Sequence, residues 1–357
     1  METMTLTPTY HNVHSSFKLN GFHLDKEDLC RVAYSFIKEG DDFEKPVGHF
    51  LLDWFDDLPY IEMTTSGTTG KPKTIRIDKQ AMVNSALATG DFFDLHPGNK
   101  ALHCLPVKYI AGKMMLVRAF ILGLDTDFVA PSSSPFAQNN DTCYDFVAMV
   151  PLQAQHSLGS LKRVKKMIIG GVGISKSLTK ELQKLPTEVY ETYGMTETIT
   201  HIAAKKVGEK AFTVLPNVTL SYDENNCLVI HAPRISNEII LTNDLVKLVN
   251  ENQFVFLGRY DNVVNSGGIK LIPEQVEEKL SGHVPSRYFV GGIPDENLGE
   301  KLVLAVEGEQ PNDYDFKFDL LDKYEKPKEV FFIPKFRETE TGKIMRKETL
   351  KEALKNK

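Results

Sequence analysis

Between Asp25 and Lys38 apolar residues recur at intervals of three and four, with Leu29, Val32, Ala33, Phe36 and Ile37 on one face, and this spacing predicts a helix. A second helix is expected within Asp41–Phe55, with Phe50, Leu51, Trp54 and Phe55 on its apolar side, and a short strand pair completes residues 1–60. From 61 to 215 short apolar runs (Ala101–Leu105, Thr126–Val129, Phe146–Val150, Lys166–Ile169, Glu188–Glu191) alternate with helical stretches such as Lys79–Gly90 and Ser175–Leu185. That alternation predicts an α/β domain with a largely parallel sheet. From 215 to 257 the runs shorten to Val218–Tyr222, Cys227–His231, Glu238–Thr242 and Phe254–Leu257, joined by Asn/Asp turns, which predicts an antiparallel β-subdomain. Beyond Gly258 the expectation is a helix over Pro273–Ser281 with proline in its first turn, strands at Arg287–Ile293 and Leu302–Glu307, an element at Asp315–Leu321, a strand at Val330–Ile333 and a lysine-rich end. The expected fold class is therefore α/β: a large N-terminal domain over 1–257 that includes the β-subdomain, and a small α+β domain over 258–357.

Composition narrows the function classes. The 357 residues, 41% apolar and 25% charged, describe an ordinary globular chain with enough length for a large core. The net charge is -6 and no long basic run occurs, so nucleic acid is not the expected partner. An acidic protein of this kind binds anions through local devices: glycine loops, helix N-termini and a few placed lysines. Cys30, Cys104, Cys143 and Cys227 lie far apart, without zinc-ligand spacing, and read as free thiols. No signal-peptide pattern and no membrane-length apolar run is seen, so the expected location is the cytoplasm, with no membrane partner.

The densest chemistry is the string Thr64-Thr65-Ser66-Gly67-Thr68-Thr69-Gly70-Lys71-Pro72-Lys73. Its glycines let backbone N–H groups turn toward phosphate oxygens, its hydroxyls add donors, and its lysines add charge. It is not a Walker A loop, because two residues rather than four separate Gly67 from the Gly70-Lys71 pair. Further along, Tyr190-Glu191-Thr192-Tyr193-Gly194-Met195-Thr196-Glu197 gathers aromatic rings, a glycine, hydroxyls and a carboxylate that could stack on a base, admit a phosphate and hold Mg²⁺ through oxygen. Gly258-Arg259-Tyr260-Asp261-Asn262 and Asn265-Ser266-Gly267-Gly268-Ile269-Lys270 stand at the expected domain boundary, and Thr341-Gly342-Lys343-Ile344-Met345-Arg346 near the end.

In this order the strings resemble the adenylate-forming superfamily of acyl-CoA synthetases, peptide-synthetase adenylation domains and beetle luciferases, over about residues 61–346. The resemblance implies an AMP-forming acid–thiol ligase that uses ATP, Mg²⁺ and coenzyme A. It implies a phosphate loop at Thr65, Ser66, Gly67, Thr68, Thr69, Gly70 and Lys71, continuing to Lys73, and an adenine site at Gly170, Gly171 and Tyr193. Thr196 would lie by the α-phosphate, Glu197 would bind the metal, and Asp244 with Arg259 would hold the ribose. Asp261 would be the hinge of a mobile C-terminal lid, Ser266, Gly267 and Gly268 would serve thioester formation, and Lys343 would bridge carboxylate and α-phosphate during adenylation.

Three departures from the family pattern stand out. Only 63 residues precede the Thr64 string, where the family has well over a hundred. Tyr109 stands where a histidine gates the acyl pocket. Asn243 replaces the glycine of Thr-Gly-Asp in Thr242-Asn243-Asp244, a change that asparagine's tolerance of left-handed angles would accommodate. Within the superfamily the strings CLPVKYIAGKMMLVRAF, AMVPLQ and GRYDNVVNSGGIK are similar to compact bacterial o-succinylbenzoate–CoA ligases of menaquinone synthesis. This implies a small dicarboxylic acid as substrate. Lys108, Lys113 or Arg118 would meet its second carboxylate unless all three reach solvent along their stems, with Tyr109 beside them. A ligase for another aryl or fatty acid, an enzyme loading a carrier-protein thiol, and a non-catalytic nucleotide binder are the other readings.

Overall fold

A computed structural model describes residues 7–355 apart from 66–72, 139–140, 312–315, 317 and 340–342. The chain divides into two units, Met1–Thr219 with Ile230–Ile240, and Leu220–Val229 with Leu241–Lys357.

The first unit begins with a hairpin of β1 (Lys18–Leu19) and β2 (Phe22–His23), then α1 (Lys26–Glu39) and α2 (Lys45–Phe55). Asp25 starts α1 as its N-cap, accepting from Asp28 N while the Asp28 side chain answers Asp25 N. An antiparallel pair, β3 (Tyr60–Thr65) and β4 (Lys73–Asp78), leads into α3 (Lys79–Phe93). There follow β5 (Lys100–His103), α4 (Ile110–Leu122), β6 (Asp125–Phe128) and β7 (Tyr144–Met149). The short α5 (Pro151–His156) and α6 (Leu158–Leu161), then β8 (Val164–Ile169), α7 (Lys176–Leu182), β9 (Glu188–Gly194), β10 (His201–Lys206) and β11 (Ala211–Val214) complete it.

The sheet order within this unit is β11-β10-β9-β8-β7-β5-β6-β1-β2, parallel from β9 to β1 and antiparallel at both margins. Neighbouring residues of the parallel strands enter opposite cores: Ala101, Phe146 and Ile168 one, Leu102, Val147 and Ile169 the other. Both faces are therefore covered, which is why these strands read as continuous apolar runs rather than alternating ones. The first core includes Met82 of α3 and Val117 of α4; the second includes Ala154 of α5 and Leu178 and Leu182 of α7.

The division between units crosses β12 (Thr219–Tyr222) and β13 (Cys227–His231). In the second unit β14 (Ile240–Asn250) and β15 (Gln253–Arg259) form a hairpin, and a second hairpin joins β16 (Val264–Ser266) to β17 (Ile269–Leu271). After α8 (Pro273–Leu280) come β18 (Tyr288–Asp295), β19 (Gly299–Glu307), β20 (Glu329–Ile333) and α9 (Arg346–Lys355). The order is β17-β16-β19-β18, with β20 parallel to β19. Alternate residues of β19 serve two cores: Leu302, Leu304 and Val306 pack with Val276 and Leu280 of α8, and Val303 and Ala305 with Leu350 of α9.

The lysine-rich end is a helix, α9, which the sequence pattern leaves unassigned. The stretch expected as an element at Asp315–Leu321 is loop and turn where it is described. The sequence boundary at 258 falls inside the second unit, where β15 runs through it as one strand. All four cysteines are free. Among the described residues no helix is long and apolar enough to cross a membrane.

Candidate active site

In the first unit the β3–β4 ladder ends in the pair Thr65↔Lys73. That loop carries Ser66, Gly67, Thr68, Thr69, Gly70 and Lys71, which lie outside the described residues. Gly170 and Gly171 leave the carboxyl end of β8, while Tyr193 and Gly194 close β9 and Met195 to Glu197 follow it. Because β8 and β9 are parallel neighbours, with Ile169 opposite Glu191, these two strings come out side by side. Thr192 Oγ1 donates to Ile169 O at 3.1 Å and ties the two ends together. The carboxyl edge of a parallel sheet is the general place for a ligand crevice in such folds. The Tyr193 ring lies 5.9 Å from that of Phe212.

Thr196 and Glu197 sit on a single helical turn, Thr196–Thr198, with Glu197 exposed. The turn is held from below by Thr198, which is fully buried. Its hydroxyl accepts from Met195 N at 2.8 Å and lies 3.0 Å from Met195 O and 2.7 Å from Thr200 O. Ile199 takes φ 65° and ψ -55°, and Thr200 N donates to Thr198 O at 2.6 Å, which together make a γ-turn with positive φ. Such a conformation costs a β-branched residue about 1–3 kcal/mol, which the surrounding packing must offset. Gly194 is required just before it, since a Cβ there would sit 2.6 Å from His201 Cα and nearer still to Thr200 O.

The three basic candidates separate clearly. Lys108 is exposed, with Nζ 5.7 Å from the ring of Tyr109, the residue that precedes α4. Lys113 Nζ lies 4.8 Å from the Phe50 ring; burial pulls its pKa down, against the nearby Asp53 carboxylate. Arg118 is only 2% exposed. Its Nη2 donates to Thr200 Oγ1 at 3.1 Å, its Nε to Thr89 Oγ1 at 3.4 Å, and Nη2 lies 3.5 Å from His201 Nδ1. Among the described residues no carboxylate comes within ion-pair distance of it. Burial pushes its pKa down to about 10, and burial together with the Arg118 charge holds His201 well below the ordinary imidazole value. Arg118 is thus a buried cation whose described partners are hydroxyls and an imidazole.

In the second unit Asp244 and Arg259 face each other across the β14–β15 ladder, with Arg259 Nη1 3.2 Å from Asp244 Oδ1. Asp244 is buried, and its N–H donates to Thr242 Oγ1 at 3.1 Å. Asp261 accepts at Oδ2 from Asn243 Nδ2 at 3.2 Å and from Arg259 Nη2 at 3.5 Å. Asn243 does not need the left-handed angles for which its sequence position suggested a tolerance: it lies within the extended β14 and has no positive φ. Its amide instead reaches the Asp261 carboxylate, a contact that the glycine usual there could not make. Ser266 pairs with Ile269, and Gly267 (φ 58°) and Gly268 (φ 83°) form the two-residue turn between them. Lys343 is exposed, and its backbone is tied to Thr339: Thr339 N donates to Lys343 O at 2.9 Å and Lys343 N to Thr339 Oγ1 at 3.1 Å.

Residues 52–227 match a family model described as AMP-binding enzyme. A solved acyl-CoA synthetase (AMP-forming)/AMP-acid ligase II-like protein from Dyadobacter fermentans is 32% identical, with 90% of this chain and 98% of that one covered and a TM-score of 0.62. The 2-succinylbenzoate–CoA ligase of Haemophilus influenzae is 26% identical over 274 residues, which are 69% of this chain and 59% of that protein's length. An o-succinylbenzoate coenzyme A synthetase from Bacillus subtilis, solved with ATP and a magnesium ion, shares the fold at a TM-score of 0.70 and 21% identity, over 81% of this chain and 69% of that one.

Proposed function

The chain belongs to the AMP-binding, AMP-forming acyl-CoA synthetase family, and on that premise we propose that it is an acid–CoA ligase. In the first step a carboxylate oxygen attacks the α-phosphorus of ATP and pyrophosphate departs. In the second the thiol sulfur of coenzyme A attacks the acyl carbon, AMP leaves with the bonding electrons, and the thiol proton is released. The observation that carries this reading is the emergence of Gly170-Gly171 beside Tyr193–Glu197 at the carboxyl edge of the parallel sheet, with a carboxylate exposed there.

Both reactants of the first step are anions, so the residues' work is to bring like charges together and stabilise the transition state. The Thr65–Lys71 loop would take the phosphates, Gly170, Gly171 and Tyr193 the adenine, and Asp244 with Arg259 the ribose. Thr196 would face the α-phosphate and Lys343 would neutralise charge on both reactants. Thr196 and Glu197 offer oxygen donors only, a set that suits magnesium shared with nucleotide phosphates. Magnesium supplies positive charge that favours pyrophosphate departure. The Ser266-Gly267-Gly268 turn would serve the second step, with Asp261 as the hinge of a lid over 258–357.

For the acid we take o-succinylbenzoate, supported by the names of relatives about a quarter identical and by Arg118. A site built around a buried guanidinium discriminates against an analogue that leaves it without an anion. A pyrophosphate-release screen over o-succinylbenzoate, its analogue with the ring carboxylate replaced by hydrogen, benzoate, phenylacetate and medium-chain fatty acids tests this, each with and without coenzyme A. The diacid should win over the monoacid by about tenfold to a hundredfold in kcat/KM. Arg118→Met should erase that preference, while Lys108→Met and Lys113→Met keep it. Equal rates for the two acids would point to a general aryl–CoA ligase, and a preference surviving Arg118→Met would move recognition elsewhere.

A further inference from the structure

Arg346 begins α9, three residues after Lys343, and its side chain does not go to solvent. Its Nη1 lies 2.7 Å from Glu277 Oε1 and donates to Val290 O at 3.1 Å. Its Nη2 donates to Glu277 Oε2 at 2.9 Å and stands 3.7 Å from Glu274 Oε1. Glu274 and Glu277 are spaced three apart on one face of α8 and would repel each other without a cation beside them. Both carboxylates are fixed independently: Asn262 Nδ2 donates to Glu274 Oε1 at 2.6 Å, and Val290 N to Glu277 Oε1 at 2.7 Å. Val290 lies on β18, the end strand of its sheet path, so this one cluster meets both of its outward backbone groups.

The described residues before Arg346 are tied to one another by their backbones. Met345 N donates to Arg337 O at 2.8 Å, Glu338 bridges Ile344, and Thr339 brackets Lys343 from both sides. Lys343 is exposed and has no ion-pair partner among the described residues, so the contacts that locate it are those of its backbone, to Thr339. That backbone is set in turn by where Arg346 is clamped. A planar guanidinium held by a bidentate carboxylate, a second carboxylate and a carbonyl has one orientation available, which an ammonium would not share.

We propose that Arg346 is a positioning residue for the first half-reaction, clamped by Glu277 and Glu274 so that the Lys343 segment is held in place. The inference rests on the adenylation role given to Lys343 above. The test compares the full-length wild type with Lys343→Ala, Arg346→Met, Arg346→Lys and Glu277→Gln. Three quantities are measured: ATP–pyrophosphate exchange, thioester formation from a synthetic acyl-adenylate, and melting temperature. Arg346→Met should lower kcat for adenylation tenfold to a hundredfold, with KM for ATP and acid within twofold and thioester formation within twofold. Arg346→Lys should recover part of the loss. Glu277→Gln, which keeps the side-chain shape, should show the same one-sided pattern at threefold to tenfold and serves if Arg346→Met does not fold. Equal slowing of both half-reactions, or no slowing beside an impaired Lys343→Ala, would overturn the inference alone. Unimpaired adenylation in Lys343→Ala would remove the underlying reading and the inference with it.

Discussion

His103 is neutral in the folded protein. Its ring is fully buried, Nε2 lies 3.0 Å from Gly112 O, and burial pulls its pKa down to about 4. The unfolded chain takes up this proton near pH 6.5, so between pH 6.5 and about 4 the unfolded state binds more protons than the folded one. The stabilisation is therefore present above pH 6.5 and lost as pH falls toward 4, amounting to about 3 kcal/mol at full extent. His103→Gln can keep a donor toward Gly112 O and does not titrate. Urea midpoints across this range should fall less steeply with acid in the variant than in the wild type, where His201 adds to the same slope. Parallel curves would show that His103 does not carry it. At this scale the sequence singled out the Thr64–Lys73 string by its density, most of which lies outside the described residues, whereas the fate of Lys108, Lys113 and Arg118 was not legible. Whether a basic side chain reaches water depends on what packs around its helix, and α4 is buried on nearly every side from Gly112 to Leu122.

Among the elements, the turn at Ile199 could not have been read from sequence, because nothing local favours isoleucine at positive φ. It exists because Gly194 lets β10 start close by and because the Thr198 hydroxyl bridges the turn. Thr198→Val keeps the shape, removes the hydroxyl and leaves Met195 N–H without its acceptor. The expected cost is about 1–3 kcal/mol, read as a lower urea midpoint. Adenylation should slow as well, since Thr196 and Glu197 share that turn, and Thr198→Ser should restore both. A valine variant equal to wild type in stability and exchange rate would show that the hydroxyl does not hold the turn. The parallel strands and α1, by contrast, were legible in the apolar runs and the Asp25 signal. The helix α9 was missed because its sequence is mostly charged, and Leu350 is its one core side chain packed fully against the second unit's sheet residues.

For the whole molecule, periodicity is a local signal, and the grouping of distant segments is not local. The chain leaves the first unit at Leu220, returns for Ile230–Ile240 and leaves again, a path that no change of pattern near 258 records. The same limit applies to the margin of the large sheet. There β1 pairs with β6 through Lys18↔Asp125, partners separated by four helices and four strands. Closing so long a loop is slow, so this pairing is expected late in folding. Until it closes, the rim of β6 is a row of open backbone groups able to template another copy of the chain. The β1–β2 hairpin is thus a seal against self-association, and its turn, Asn20 (φ 50°) and Gly21 (φ 83°), is the part that can be weakened without touching the core. In Gly21→Val the new Cβ meets no atom within 4 Å, but a β-branched residue at that positive φ strains the turn. Refolded from urea at micromolar concentration, it should scatter more light and yield less monodisperse protein than the wild type, by an excess that grows with concentration. Identical scattering at all concentrations would mean that the rim is protected by some other part of the fold.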